Sequence, residues 1–365
     1  MGGVLAFMRR HGGLIALGLL ALYPLFPALD WLIEGTTGAS VRLDRQLVNV
    51  YIFGLLALAL NLQVGYAGLL QLGIAAFFGI GSYATGILTV DKYPFQMGFW
   101  GAMVVAPVVA GLAGLAVGMP TLRLRGDYLA IVTLGFGEVT RVVLINLENI
   151  TDGPRGLNPI PEPWLPPWVA ESAGTSSDAL GALQLLPVYY VALILLAVLV
   201  VVFQNMERSR LGRSFVALRE DELVSACMGQ NPRRTRLIAF ALGAAIAGLA
   251  GSLYATNLTT TAEPNTYDFN YSIMVLCCLI IGGLGSLKGA LLGAAVLLGF
   301  DNVLSPLLTR LIQGSTGASS VLTTFSNWRW IIFGLALILM MRFRPEGLWP
   351  NRRVKEELHA DGEGV

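Results

Sequence analysis

Glu138 and Arg141 stand three residues apart inside an otherwise apolar run, so on a helix they share a face and can pair. Ionisable groups at membrane depth are costly and mark transport paths by default, which makes Glu138 a path candidate. A mutually satisfied pair that fixes helix orientation explains the same spacing. A second candidate is the dense glycine run Gly65-Tyr66-Ala67-Gly68, continuing through Gly73, Gly79 and Gly81. Each glycine weakens a helix by about 1 kcal/mol relative to Ala. Irregular backbone is tolerated in a bilayer only where it is buried in protein or lines a cavity. Gly65, Tyr66, Gly68, Gly73, Phe78, Tyr83 and Glu138 are therefore the candidate path residues.

The third feature is the polar stretch from Glu207 to Arg236, the most charged in the chain. From Ser214 to Met228 its composition is helical, with Phe215, Leu218, Val224 and Cys227 set against Arg219, Glu220, Asp221 and Glu222. Gly229 is a natural C-terminal stop, and Pro232 follows with three arginines. Such an amphipathic helix lies along a membrane surface, either against a partner or as a solvated connector.

Other chemistries find no support. The two histidines, His11 and His359, lie near the chain ends, so no His-based metal or catalytic site can be built around them. Cys227, Cys277 and Cys278 give no disulfide framework. None of Lys92, Lys288 and Lys355 follows a Gly, so a phosphate loop for ATP is absent. The G-x-G-x-x-A match at Gly79 sits in a membrane run without strand context and carries no weight as a dinucleotide site.

The elements that must position these residues are membrane spans. Of 365 residues, 55% are hydrophobic and 13% charged, against roughly 25% charged in soluble domains. A net charge of +1 leaves no basic excess for nucleic acid. Apolar runs long enough to cross predict spans near 13–33, 47–64, 69–90, 98–119, 127–148, 186–204, 237–257, 270–284, 288–311 and 327–343. The expected fold is an all-α polytopic membrane protein of about ten transmembrane helices, with broken or re-entrant helices at 64–90 and 270–293. The first run is read as a retained span rather than a signal peptide. On the alternating map, 17 of the 24 Lys and Arg residues fall on one side, which is therefore cytoplasmic, as are both termini. Residues 150–185, rich in Pro with Trp164 and Trp168, read as an external cap, 205–236 as a cytoplasmic excursion and 344–365 as a cytoplasmic tail. Small residues four apart, namely Gly114 and Gly118, Gly289 and Gly293, and Gly243, Ala247 and Gly251, predict close helix packing.

Three stretches resemble the LivM-type permease subunits of ABC importers for branched-chain amino acids. They are NLQVGYAGLLQLGIAAFFGIGSYATGIL from Asn61, LRLRGDYLAIVTLGFGEVTRVV from Leu122, and the segment from Gly212 to Tyr254. The GGLGSLKGALLG run from Gly282 and the Phe343 to Leu348 tail fit as well. The resemblance implies one transmembrane permease domain over 1–365 in a bacterial inner membrane. It implies partners too: a LivH-type sister permease, two ATP-binding subunits and an external substrate-binding protein, with ATP bound by the partners and no cofactor by this chain. The helix Ser214 to Gly229, about 22 Å long, would then be the coupling helix that docks on an ATP-binding subunit. Arg213, Arg219, Glu220, Asp221, Glu222, Ala226 and Gly229 would be its interface residues. An ion-driven secondary transporter would instead need several membrane carboxylates at ion sites, and a channel would need no large inward helix. Within the resemblance, urea or short amides are alternative cargoes.

Overall fold

The computed structural model describes residues 43–121, 124, 126–161, 177–305, 328–344 and 346–349. Every regular element among them is helical. Helix α1, Leu43–Leu60, is buried on every side from Tyr51 onward, with Leu55 through Leu60 inaccessible to solvent. It passes into a π-helical turn at Asn61–Tyr66 and stops. In chain order there follow α2 (Ile74–Thr89), α3 (Phe99–Thr121) and α4 (Asp127–Asn146), then a single turn, α5 (Glu148–Thr151). Next come the long α6 (Ser177–Arg208), the polar α7 (Arg210–Glu220) and α8 (Glu222–Cys227), and α9 (Pro232–Leu258). A helical hairpin follows, α10 (Phe269–Gly282) and α11 (Leu287–Gly299), the latter continued by a π-helical turn at Phe300–Leu304; α12 is Arg329–Phe343.

Among the described residues, five helical stretches are long and apolar enough to cross a bilayer: Gln46–Tyr66, Phe99–Thr121, Asp127–Asn146, Pro187–Arg208 and Pro232–Leu258. Ile74–Thr89, Phe269–Gly282 and Ile331–Phe343 are apolar but shorter. The expected first span at 13–33 lies outside the described residues, as does the end of the 288–311 span. The 69–90 span is corrected, because residues 67–73 are not helical and the helix starts only at Ile74. Of the cap expected at 150–185, residues 162–176 lie outside the described residues and 177–185 form the first turns of helix α6, ahead of its apolar stretch Pro187–Arg208.

Helix α9 is the main packing surface, lying against α1, α2 and α3. Without water between helix and lipid, such packing rests on close approach of backbones, which small residues permit. A Cβ on Gly251 would meet the carbonyl oxygen of Phe78, and one on Gly248 the Cβ of Ala110. Gly114 on α3 lies in the same way against Ala244. In the hairpin, Gly293 of α11 sits on the carbonyl of Cys278. The outward faces stay apolar, as in the α3 stripe Trp100, Val104, Val108 and Leu112, each more than half exposed, and suit lipid or another membrane chain.

At the end remote from α7, residues 157–160 pair with 259–261. Ile160 N donates to Thr259 O (2.9 Å) and Thr261 N to Leu157 O (3.0 Å). Asp152 accepts a hydrogen bond from Lys92 and so holds that exposed ammonium above its ordinary pKa.

Replacing Gly251 by Val is expected to destabilise the bundle by about 1–3 kcal/mol through overpacking. Val108→Ala, on the exposed stripe, should stay within about 0.5 kcal/mol. The midpoint of thermal unfolding in detergent checks both; equal midpoints for the two variants would contradict the packing described.

Candidate functional site

The inward-facing polar helix predicted over Ser214 to Gly229 is two helices. Ser209 opens α7 by accepting a hydrogen bond from Gly212 N (3.2 Å). At Asp221 the backbone turns extended (φ −153°, ψ 116°), and its carboxylate accepts from Leu223 N (2.7 Å) and Val224 N (3.1 Å) to cap α8. An Asp side chain competes with the helix for backbone donors, which is why it favours caps over helix interiors. Gly229, at φ +83°, ends the unit as expected. The break splits the amphipathic stripe. Phe215 and Leu218 are buried against the bundle, whereas Val224 and Cys227 point to the surface.

Arg219, in the last turn of α7, donates from Nη1 to the carbonyl of Gly65 in the π-helical turn. Its aliphatic stem lies against Gly68, where a Cβ would stand 2.9 Å from Arg219 Cγ. Gly68 also has φ +68°, so glycine is required there on both counts. One turn above, the Tyr66 hydroxyl donates to a carboxylate oxygen of Glu207, at the end of α6. The end of α6 and the polar α7 are thus both tied to the interrupted end of α1, through Glu207 and Arg219.

The second interruption lies beside the first. Between α10 and α11 the chain reverses at 283–286, with Gly283 at φ +120° and Gly285 at φ +72°. Asn61 bridges to it: Gly285 N donates to Asn61 Oδ1 (2.9 Å), and Asn61 Nδ2 donates to Ser286 O (3.3 Å). The chain's tail closes the other side, with Leu348 N donating to Ile281 O (2.9 Å) and Trp349 N to Gly282 O (3.0 Å). Four segments far apart in sequence converge here, around Asn61, Arg219, Gly285 and Gly347.

The remaining predicted residues distribute as follows. Glu220, Asp221, Ala226, Gly229 and Arg213 are exposed on α7 and α8. Glu222 is held by Arg236 (2.6 Å) within the chain, so it positions α8 against α9. Gly73 lies on the backbone carbonyl of Thr133, joining α2 to α4. Phe78 is fully buried and stacks on Tyr271 (centroids 5.2 Å, 17°), and Tyr83 OH donates to Ala262 O (3.2 Å). Glu138 pairs with Arg141 (2.9 Å), which also donates to Asn265 Oδ1 (2.9 Å), so the pair clamps α4 to the turn before α10. Sequence reasoning missed Asn61 and Glu207. The polar Asn61 inside a long apolar run was the signal that could have found Asn61.

A helical bundle of this kind, with apolar outward faces, interrupted helices and an anchored polar unit at one end, is a polytopic membrane protein. Residues 42–341 match the family described as the permease component of branched-chain amino acid transport systems. The high-affinity branched-chain amino acid transport system permease protein LivM of Escherichia coli is 38% identical over 323 residues, covering 86% of this chain and 70% of that protein. The probable LivM of Methanocaldococcus jannaschii is 24% identical over 338 residues, covering 83% and 92%. The LivH permease of Salmonella typhimurium is 23% identical over 255 residues, covering 67% and 79%. No solved structure matches. The chain belongs to the branched-chain amino acid transport permease family.

Asn61→Leu removes its hydrogen bonds to the Gly285 amide and the Ser286 carbonyl, a loss of about 1–3 kcal/mol per buried group. A matching drop in unfolding midpoint is expected. Asn61→Asp keeps the acceptor for Gly285 N and should lose less; the reverse order of the two variants would show that the bridge is unimportant.

Proposed function

We propose that this chain is one half of the translocation path of an ATP-driven importer of branched-chain amino acids, completed by a LivH-like sister permease. ATP is bound and hydrolysed on two separate partner subunits, an external binding protein delivers the cargo, and α7 and α8 face the cytoplasm together with both termini. The observation that carries the reading is the division of labour between α7 and α8. Helix α7 is fixed to the interrupted α1 through Arg219 and the buried Phe215. Helix α8 and the residue that follows it present Leu223, Val224 and Met228, 72%, 58% and 79% exposed. Apolar side chains held out on a rigid polar unit suit a groove on a partner. Membership of the permease family and the relatives' names support the cargo class.

The binding surface under this reading is Leu223, Val224 and Met228 with the exposed Glu220, Asp221, Ala226 and Gly229 around them. Arg219 and Glu222 act behind it, by holding the two helices to the bundle. A push on α8 would pass through Arg219 to the carbonyl of Gly65 and so to the junction of both helix breaks.

The double variant Leu223→Asp, Met228→Asp is expected to lower co-purification of the ATP-binding subunits at least tenfold while the chain still inserts and unfolds at the parent temperature. In proteoliposomes of the assembled parent importer, leucine uptake should require ATP and the binding protein. Uptake by the purified chain alone, driven by a proton or sodium gradient, would sink the proposal.

A further inference from the structure

The spanning stretches differ in how far the rest of the chain covers them. Only 22% of the apolar core of Asp127–Asn146, helix α4, is buried, against 78% for Gln46–Tyr66. Along α4, Ile131, Gly135, Glu138 and Val142 follow at spacings of four, three and four, so they share one edge of the helix. Ile131 is 65% and Val142 46% exposed, and the Glu138 side chain keeps 38% of its surface. Gly135 is exposed too, with no atom within 4 Å of where a Cβ would stand.

Three observations set this edge apart from one that meets lipid. Among the five stretches, Glu138 is the only Asp, Glu, Lys or Arg more than two turns from either end. Charged groups at that depth face a bundle interior or water, not hydrocarbon. Second, Arg141 directs both Nε and Nη2 at one oxygen of Glu138, Oε2 (2.9 Å each), and Nη1 at Asn265. The other oxygen, Oε1, has no hydrogen-bond partner among the described residues, and a carboxylate oxygen in an apolar medium needs one. Third, helix α3 shows what a lipid-facing surface looks like at the same depth. Lys92 donates to Asp152 and Tyr93 to the carbonyl of Ile150, which ties the chain entering α3 to the chain leaving α4. The α3 residues exposed at depths matching the α4 edge are Val104, Val108 and Leu112, all bulky and wholly apolar.

We infer that the Glu138 edge of α4 borders water as one wall of the translocation path, and that the α3 stripe faces lipid. Oε1 of Glu138 is hydrated there, while Arg141 and Asn265 hold the carboxylate from behind. Ile131 and Val142 complete the wall, and the missing side chain at Gly135 leaves room at mid-span. The inference rests on the importer reading above, which places the path at the boundary of this chain with a sister permease.

The test uses the complete importer in proteoliposomes, with a permanently charged methanethiosulfonate on both sides of the membrane. Cys227→Ser removes the exposed native thiol, Cys277 and Cys278 being buried, and this form sets the background for labelling and for uptake. Only a thiolate reacts, and apolar surroundings suppress it. Gly135→Cys should therefore be labelled at least tenfold faster than Val108→Cys, which stands near the middle of α3. Once labelled, Gly135→Cys should lose about tenfold in leucine uptake, whereas Val108→Cys treated alike should stay at background. Val142→Cys against Val104→Cys, each about one turn in from the tied ends, repeats the comparison if Gly135→Cys is not recovered. Equal labelling within the pair would overturn the inference, because the edge would then meet lipid or a packed protein surface. Fast labelling with uptake intact would also overturn it, by showing a water-filled crevice outside the path. Uptake that needs no ATP before labelling would overturn the importer reading instead, while the labelling ratio still decides whether the α4 edge meets water.

Discussion

The amide of Asn61, buried inside the bundle, joins two broken helices where backbone groups cannot turn to water. It accepts from Gly285 N and donates to Ser286 O, so the end of α1 and the α10–α11 turn satisfy one another. Unpaired peptide groups in a bilayer cost several kcal/mol each, so a chain can break a helix there only where another segment supplies partners. The same constraint explains Arg219 on the carbonyl of Gly65 and the tail on the carbonyls of Ile281 and Gly282. Four segments are held at one place because each has groups that only the others can satisfy.

Much of the bundle was legible in the sequence because lipid imposes a simple rule of length and apolarity. The small residues Gly243, Ala247 and Gly251 also kept their promise, with Gly251 on the Phe78 carbonyl. What escaped has local or long-range causes. Periodicity ran straight through Asp221, since the apolar stripe continues beyond it, while the side chain was free to cap a new helix. The glycines at 283 and 285 signalled an interruption, but the partner of that interruption, Asn61, lies more than 220 positions earlier. Likewise Asn49, Asp268 and Asp301 stand more than 30 positions from one another in the sequence. Only the fold places them around one cavity.

Rigidity and exposure are distributed to match. Helix α7 is short, buried on one side by Phe215 and Leu218 and hydrogen-bonded to α1, so it moves with the bundle. Helix α8 has only six residues and keeps its place through the Asp221 cap and the Glu222–Arg236 ion pair. Pairing Glu222 inside the chain changes its meaning from a surface charge to a strut. The Glu138–Arg141 pair does the same at the other end, where Asn265 extends it to the α10 approach.

The tail contacts at Leu348 and Trp349 bear on the order in which the molecule can be completed. The carbonyls of Ile281 and Gly282 leave the ribosome more than 60 residues before the amides that satisfy them. Until those last residues arrive, the end of α10 has no partner for its terminal carbonyls from that quarter. The hairpin is therefore half finished for the whole time that α11 and α12 are being made. A chain cut short before Leu348 would leave the carbonyls of Ile281 and Gly282 without the donors that Leu348 and Trp349 supply.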